Sequence, residues 1–160
     1  MADDRIFRDL KADHDRHRDL FARIASSDPD GEERATLFEE LRVELQAHAA
    51  AEEESLYATM LANPDLRDEA RHSVSEHKEI DDFLGELVEG DPSSDEWAKT
   101  FKDLRHRYLH HIDEEEEEMF PAASKDLDEE TKSRIAAVFE KRKPKEVERA
   151  EEELPGDARE

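Results

Sequence analysis

Residues 108–121, Tyr-Leu-His-His-Ile-Asp-Glu-Glu-Glu-Glu-Glu-Met-Phe-Pro, decide how this chain is read. At first sight they are a solvated acidic run. An apolar ridge enters them, however, from Trp97, Phe101, Leu104 and Tyr108 at steps of four, three and four, and its continuation lands on His111 and then Glu115. A helix stripe that faces a core normally carries leucine at such places. Burying an imidazole one turn before a carboxylate is costly unless something pairs with both, and a metal ion does so.

Working outward, every other long stretch has the same helical period and none alternates like a strand. The first helix spans about Asp4 to Ala25, with the ridge Ile6, Leu10, His14, His17, Phe21 and Ile24. Asp28-Pro29-Asp30-Gly31 breaks it, and Asp30 with Glu33 offers a capping pair. The second, about Glu32 to Ala62, places Leu37, Leu41, Leu45, His48, Glu52 and Leu56 on one ridge. Asn63-Pro64 opens the third, about Pro64 to Glu89, with Leu66, Ala70, His77, Ile80, Leu84 and Leu87 inward. Gly90-Asp91-Pro92 ends it. The fourth starts near Ser93 or Ser94, where Ser93 and Glu96 suit a capping box, and runs to Met119 before Pro121 stops it. A shorter fifth, about Asp128 to Lys141, has Ile135, Val138 and Phe139 to lay on the bundle. Short connections between long helices predict an all-α, up-down-up-down four-helix bundle over residues 1–143. Residues 144–160, charged and nearly without large apolar side chains, read as a disordered tail.

Composition narrows the chemistry. The chain of 160 residues suffices for one helical core and carries a formal charge of −23, with 47 acids against 24 bases. Such a surface disfavours nucleic acid and anionic membranes as partners. Cysteine is absent, so any metal must sit on imidazole and carboxylate. The Met-Ala-Asp-Asp start has no basic-then-apolar leader and no run of 18 apolar residues occurs, so the expectation is a soluble, cytoplasmic protein.

Each of the four bundle helices carries one histidine on its ridge: His14, His48, His77 and His111. On the second and fourth a glutamate follows at i+4, giving His48/Glu52 and His111/Glu115, pairs that project from one helix face. Counted from the turns, the six side chains fall near mid-bundle, a donor set suited to two borderline metal ions bridged by the carboxylates. A single buried histidine is more often a satisfied core residue than a ligand. Four on four helices at compatible depth, two with a carboxylate one turn on, would need too many internal hydrogen bonds to survive without metal. His106 and His110 face away from the ridge and His72 looks sideways. His17 stands at the core margin, as an extra ligand, as a donor to one, or as neither. The Glu-x-x-His arrangement of ferritin-like bundles occurs once, Glu69 to His72, without a second copy.

With its order His14, His48-x-x-x-Glu52, His77, His111-x-x-x-Glu115 and closing Met-Phe-Pro, the chain resembles the hemerythrin-like, HHE cation-binding family over about residues 5–140. The resemblance implies a non-haem di-iron centre, bridged by the two carboxylates and an oxygen, that meets O2, peroxide or nitric oxide. Two departures from the oxygen carriers stand out. Ser73 replaces a second histidine of the third helix, which leaves a coordination position open. Tyr108 replaces an apolar residue and is either a proton or hydrogen-bond donor to a bound oxygen species or an ordinary core tyrosine. Glu118 is the further carboxylate that could orient a ligand, if not simply solvated. A reactive di-iron protein leads this reading. A sensing or metal-sequestration module without turnover is the alternative, and a purely structural bundle the third. Imidazole and carboxylate donors do not choose iron over manganese or zinc.

Overall fold

The computed structural model describes residues 4–155, which are helical or turn throughout, with no strand among them. The order is α1 (Arg5–Ala25), α2 (Glu32–Glu52), a π-helical segment (Glu53–Tyr57), α3 (Ala58–Leu61), α4 (Arg67–Glu89), α5 (Asp95–Glu114), a second π-helical segment (Glu115–Met119), α6 (Phe120–Asp126) and α7 (Glu129–Glu152). The turns follow the expected breakers but use other caps. Asp28 Oδ1 accepts the Asp30 N–H (3.0 Å), so the turn before α2 is an Asx turn and Gly31, not Asp30, is the N-cap. Asn63 makes the same turn onto Asp65, and α4 starts at Arg67 rather than at Pro64. Ser94, not Ser93, caps α5, with its hydroxyl accepting from Trp97 N at 3.1 Å.

Both His-x-x-x-Glu helices change register right after their glutamate. In the first π segment the Ser55 hydroxyl donates to the Ala51 carbonyl (2.7 Å), which loosens the α ladder where it widens. In the second, the Phe120 N–H reaches back to the Glu115 carbonyl. Pro121 therefore does not stop the helical path. It lies in the first turn of α6, where a missing N–H is tolerated.

The apolar core is two blocks rather than one. Ile6, Leu10, Leu56, Met60, Phe120, Ile135 and Phe139 belong to one block. Phe21, Leu41, Leu45, Leu84, Trp97, Phe101 and Leu104 belong to the other. Along α1, α2, α4 and α5 the residues between the blocks are the buried histidines and glutamates, so a polar layer crosses the molecule at its waist.

α7 differs most from expectation. It runs 24 residues to Glu152, with Pro144 inside it, instead of ending near Lys141 ahead of a disordered segment; residues 156–160 of that segment lie outside the described residues. Pro144 removes one backbone donor, and side-chain staples to α2 and α1 outweigh that loss. Arg42, 1% exposed, donates to the carbonyls of Ala150 (3.0 Å) and Glu153 (3.1 Å) and pairs with Glu39. Lys143 reaches Asp13 (3.0 Å) and Glu44 (3.2 Å), and Arg142 reaches Glu54 (2.8 Å). Lys143 and Arg142 pin the helix just before the proline, and the Arg42 bonds to Ala150 and Glu153 hold the part beyond it. No described helix is long and apolar enough to cross a membrane.

Candidate metal centre

The fold brings all six of the ridge histidines and glutamates together in the polar layer. Glu52, His77, His111 and Glu115 each offer a ligand atom within 4.8 Å of one another, and His14, His48 and Glu52 do the same, so Glu52 is common to both groups. Glu115 also faces both, its Oε1 lying 2.7 Å from His111 Nε2 and 4.0 Å from His14 Nε2. None of the six is more than 7% exposed.

Five of the six turn buried atoms without a hydrogen-bond partner toward one another. His14 Nε2, His48 Nε2, His111 Nε2 and all four carboxylate oxygens of Glu52 and Glu115 are buried without a hydrogen bond. Even the 2.7 Å approach of His111 to Glu115 lacks hydrogen-bond geometry. Buried polar atoms in folded proteins are nearly always satisfied, and an orphaned buried carboxylate costs several kcal/mol, roughly. Seven such atoms in one layer fit a donor set for cations and little else.

The opposite edges of the imidazoles are held by carboxylates. His14 Nδ1 pairs with Glu116 Oε2 (2.7 Å), His48 Nδ1 with Asp13 Oδ2 (2.9 Å) and His111 Nδ1 with Glu76 Oε1 (2.8 Å). His77 has only a looser neighbour, Glu53 Oε2 at 3.6 Å. Each of these carboxylates is the sequence neighbour of a ridge residue on another helix. Asp13 precedes His14, Glu76 precedes His77, and Glu53 and Glu116 follow Glu52 and Glu115. Around the four helices, three of the four steps carry such a hydrogen bond; the fourth, from Glu53 to His77, leaves Nδ1 buried without one. Donation from Nδ1–H to a carboxylate sets the tautomer and leaves Nε2 free for a metal. Basic residues anchor two of these carboxylates in turn: Arg18 on Glu116 (3.0 Å) and Lys143 on Asp13 (3.0 Å).

Proton affinities divide the layer. Burial, reinforced by the neighbouring His14 and His17, lowers His48 to about 3 despite its bond to Asp13. Burial also works against a proton on His111, but the negative charges of Glu115 and Glu76 outweigh it and raise that histidine to about 9. Glu52 is driven well above the usual carboxylate range by burial and by Glu115. Glu115, beside His111, falls well below it although burial pushes the other way. Without metal the layer thus favours a proton on Glu52 over one on Glu115, and the negative charge of Glu115 favours the protonated form of His111.

The remaining sequence candidates fall as follows. His17 is fully buried but engaged on both nitrogens, with the Tyr108 hydroxyl (2.6 Å) and Glu44 (3.4 Å), and belongs to neither ligand group. Tyr108 is 3% exposed and spends its hydroxyl on His17. Glu118 is exposed, and the run's orienting carboxylate is Glu116. His72, His106 and His110 are on the surface, as expected. Sequence reasoning missed Tyr57, which is fully buried, stacks on His77 at 5.2 Å and leaves its hydroxyl without a hydrogen bond. Burial, with Glu115 and Glu52 close by, pushes this phenol well above its ordinary pKa. The signal was its place five residues after Glu52, which shares a face with it only on a π-helical turn.

This all-helical bundle with a buried histidine–carboxylate layer defines a cation-binding helical protein. The hemerythrin HHE cation binding domain model matches residues 5–123, and the chain belongs to that family. A crystal structure of a hemerythrin HHE cation binding domain-containing protein from Mycobacterium kansasii is similar to it, with 26% identity, a TM-score of 0.70, and 88% of this chain and 95% of that one covered. No curated protein matches the chain.

Proposed function

We propose that the buried layer holds two metal ions, iron in the leading case, and that the loaded protein binds or reduces O2, peroxide or nitric oxide. The observation that carries this reading is the convergence of seven unpartnered buried donor atoms from α1, α2 and the path of α5 into the second π segment, with His77 of α4 in reach of them. His14 and His48 would serve one ion, His77 and His111 the other, and Glu52 and Glu115 both, in keeping with the distances of each glutamate to histidines of the two groups. A pair of iron ions, when bound, supplies reversible redox change and open coordination positions; manganese and zinc suit the same donors. The same reading takes α1, α2, α4 and α5 as an up-down-up-down bundle, in line with the short turns at residues 26–31 and 90–94.

The chain's own residues do the rest. Asp13, Glu76 and Glu116 hold three imidazoles in one orientation. The apolar blocks on either side exclude water from the layer. A groove of about 470 Å³, walled in part by Ala49, Ala50 and Val74, reaches His48, His77 and Tyr108 and gives a small ligand a path inward. Tyr108, in the groove wall, can hold or pass a proton between its phenol oxygen and His17 Nδ1. Aerobic loading with Fe(II) is expected to give about two irons per chain and a near-ultraviolet charge-transfer band that azide shifts. A colourless protein with one iron or none overturns the proposal.

One observation favours the alternative of a sensing or sequestering module. Lys143 on α7 grips Asp13 and Glu44, the carboxylates that hold His48 and His17, so α7 is tied to the site through one hydrogen bond on each path. Metal-dependent protection of residues 145–152 from proteolysis, with no turnover of peroxide, would select that reading.

A further inference from the structure

A second histidine–carboxylate group lies outside the buried layer, on the surface where α4 meets α5. His72 Nε2 is 3.5 Å from Glu76 Oε1 and 3.8 Å from Glu114 Oε2, and the other oxygen of Glu114 is 3.0 Å from His110 Nε2. Donors around one transition-metal ion at bond lengths near 2.1 Å stand roughly 3 to 3.5 Å apart, so only a small closure separates these side chains from coordination. His72 is 65% and Glu114 37% exposed, which makes the group accessible from solvent.

By itself this is a pair of i, i+4 surface contacts. What lies beneath it is not. The three side chains rim a cavity of about 240 Å³ whose inner wall includes His111 and Glu115. His111 Nε2 and both Glu115 oxygens are the unpartnered donors of the buried centre, each residue 1% exposed. Glu76 belongs to both levels, since the oxygen that faces His72 also accepts from His111 Nδ1 at 2.8 Å. The cavity wall holds six carboxylates, Asp68, Glu69, Glu76, Glu114, Glu115 and Glu118, and no lysine or arginine. The larger grooves differ on this point: Lys78 and Arg149 stand in the wall of the one beside His48, Arg8 and Lys11 in the one beside Glu116. The groove beside His48 also carries Glu53, Asp81, Glu146 and Glu153, so the contrast is one of degree: six carboxylates without a lysine or arginine make the acidic cavity the most uniformly attractive of the three to a cation.

We propose that His72, Glu76 and Glu114 form a loading site for divalent transition-metal ions, from which the ion passes through the acidic cavity to His111 and Glu115. The delivery role rests on the reading of the buried layer as a metal centre. The binding role does not.

Mn(II) added below stoichiometry to the metal-free protein tests binding, and anaerobic stopped-flow uptake of limiting Fe(II) tests delivery. Selective broadening of the His72 and His110 imidazole proton signals by Mn(II) is expected. A variant with His72→Ala and Glu114→Gln should lose the broadening at His110 and take up iron at least about fivefold more slowly. It should keep the parent's final iron content and metal-free melting temperature. Glu86→Gln, an exposed acid elsewhere on α4, should leave the rate unchanged and so removes general surface charge as the cause. Normal iron uptake in the parent without His72 broadening, or an unchanged rate in the double variant, overturns the loading site while leaving the buried centre intact. Broadening at His72 in a parent chain that takes up no buried iron overturns delivery together with the reading of the centre.

Discussion

His48 in the α1–α2 half of the site and His111 in the α4–α5 half occupy equivalent places. Each is the first residue of a His-x-x-x-Glu pair, each is at most 2% exposed, and each rests its Nδ1 on a carboxylate from the preceding long helix. Their proton affinities nevertheless lie far apart, at about 3 and about 9. The neighbours account for it. His48 is flanked edge-on by two more imidazoles, His14 at 5.0 Å and His17 at 5.2 Å between ring centres, and its Asp13 is shared with Lys143. His111 has Glu115, whose carboxyl is held well below the usual range, at 2.7 Å. Repeating a ligand motif in two helix pairs therefore does not repeat its electrostatics. Under the proposed function, a metal ion at His111 would compete with a proton, whereas one at His48 would meet an imidazole that burial disposes to be neutral.

Glu52 is the residue the halves share, so its loss should produce the largest effect. Glu52→Ala is expected to bring bound iron from about two per chain to well under one, measured by elemental analysis. Retention of one firmly held iron would show that the halves bind independently. Next come the carboxylates behind the imidazoles. Asp13→Asn and Glu76→Gln should each weaken metal affinity by roughly 10- to 100-fold, read by competition with a chromophoric chelator. Glu76→Gln should, in addition, lower the pKa of His111.

The metal-free protein then separates the halves by pH. The raised pKa of His111 stabilises the fold fully below about 6.5, the unfolded value, and that contribution is lost as pH rises through about 9. The depressed pKa of His48 acts in the other direction. Its contribution is present above about 6.5 and is lost as pH falls toward about 3, where the unfolded chain takes up a proton that the folded one refuses. Denaturation midpoints across this range should lose their alkaline decline in His111→Gln and part of their acid decline in His48→Gln. Equal changes on both limbs in either variant would sink the assignment. The smallest effect is expected at Lys143, whose partners are largely buried. Lys143→Met should cost about 1 kcal/mol of stability, a few degrees in melting temperature, with iron content kept.

The six central residues could be read from the chain because α-helical spacing alone places them. His14, His48, His77 and His111 continue apolar ridges, and Glu52 and Glu115 follow at one turn. The orienting carboxylates could not be read in the same way. Asp13, Glu76 and Glu116 are adjacent in sequence to ridge residues, but the histidines they hold are on other helices, and that depends on how the helices face each other. Tyr57 was hidden by a change of period: an α-helical ridge through Glu52 points to Leu56, whereas the π-helical turn brings the tyrosine in. Tyr108 showed the converse, being buried on the expected ridge with its hydroxyl given to His17. The length of α7 was obscured because Pro144 and a charged composition argue locally against helix, while Arg42, Lys143 and Arg142 act over long sequence separations.

The split core has a consequence for cooperativity. Two apolar blocks that share no side chain are candidates for separate foldons, each able to open while the other stays closed. In the metal-free chain the layer between them holds buried carboxylate oxygens and imidazole nitrogens without partners in place of apolar contact. Ions bound there would rivet the two blocks together, so that amide exchange, staged in the apoprotein, would become all-or-none in the loaded one.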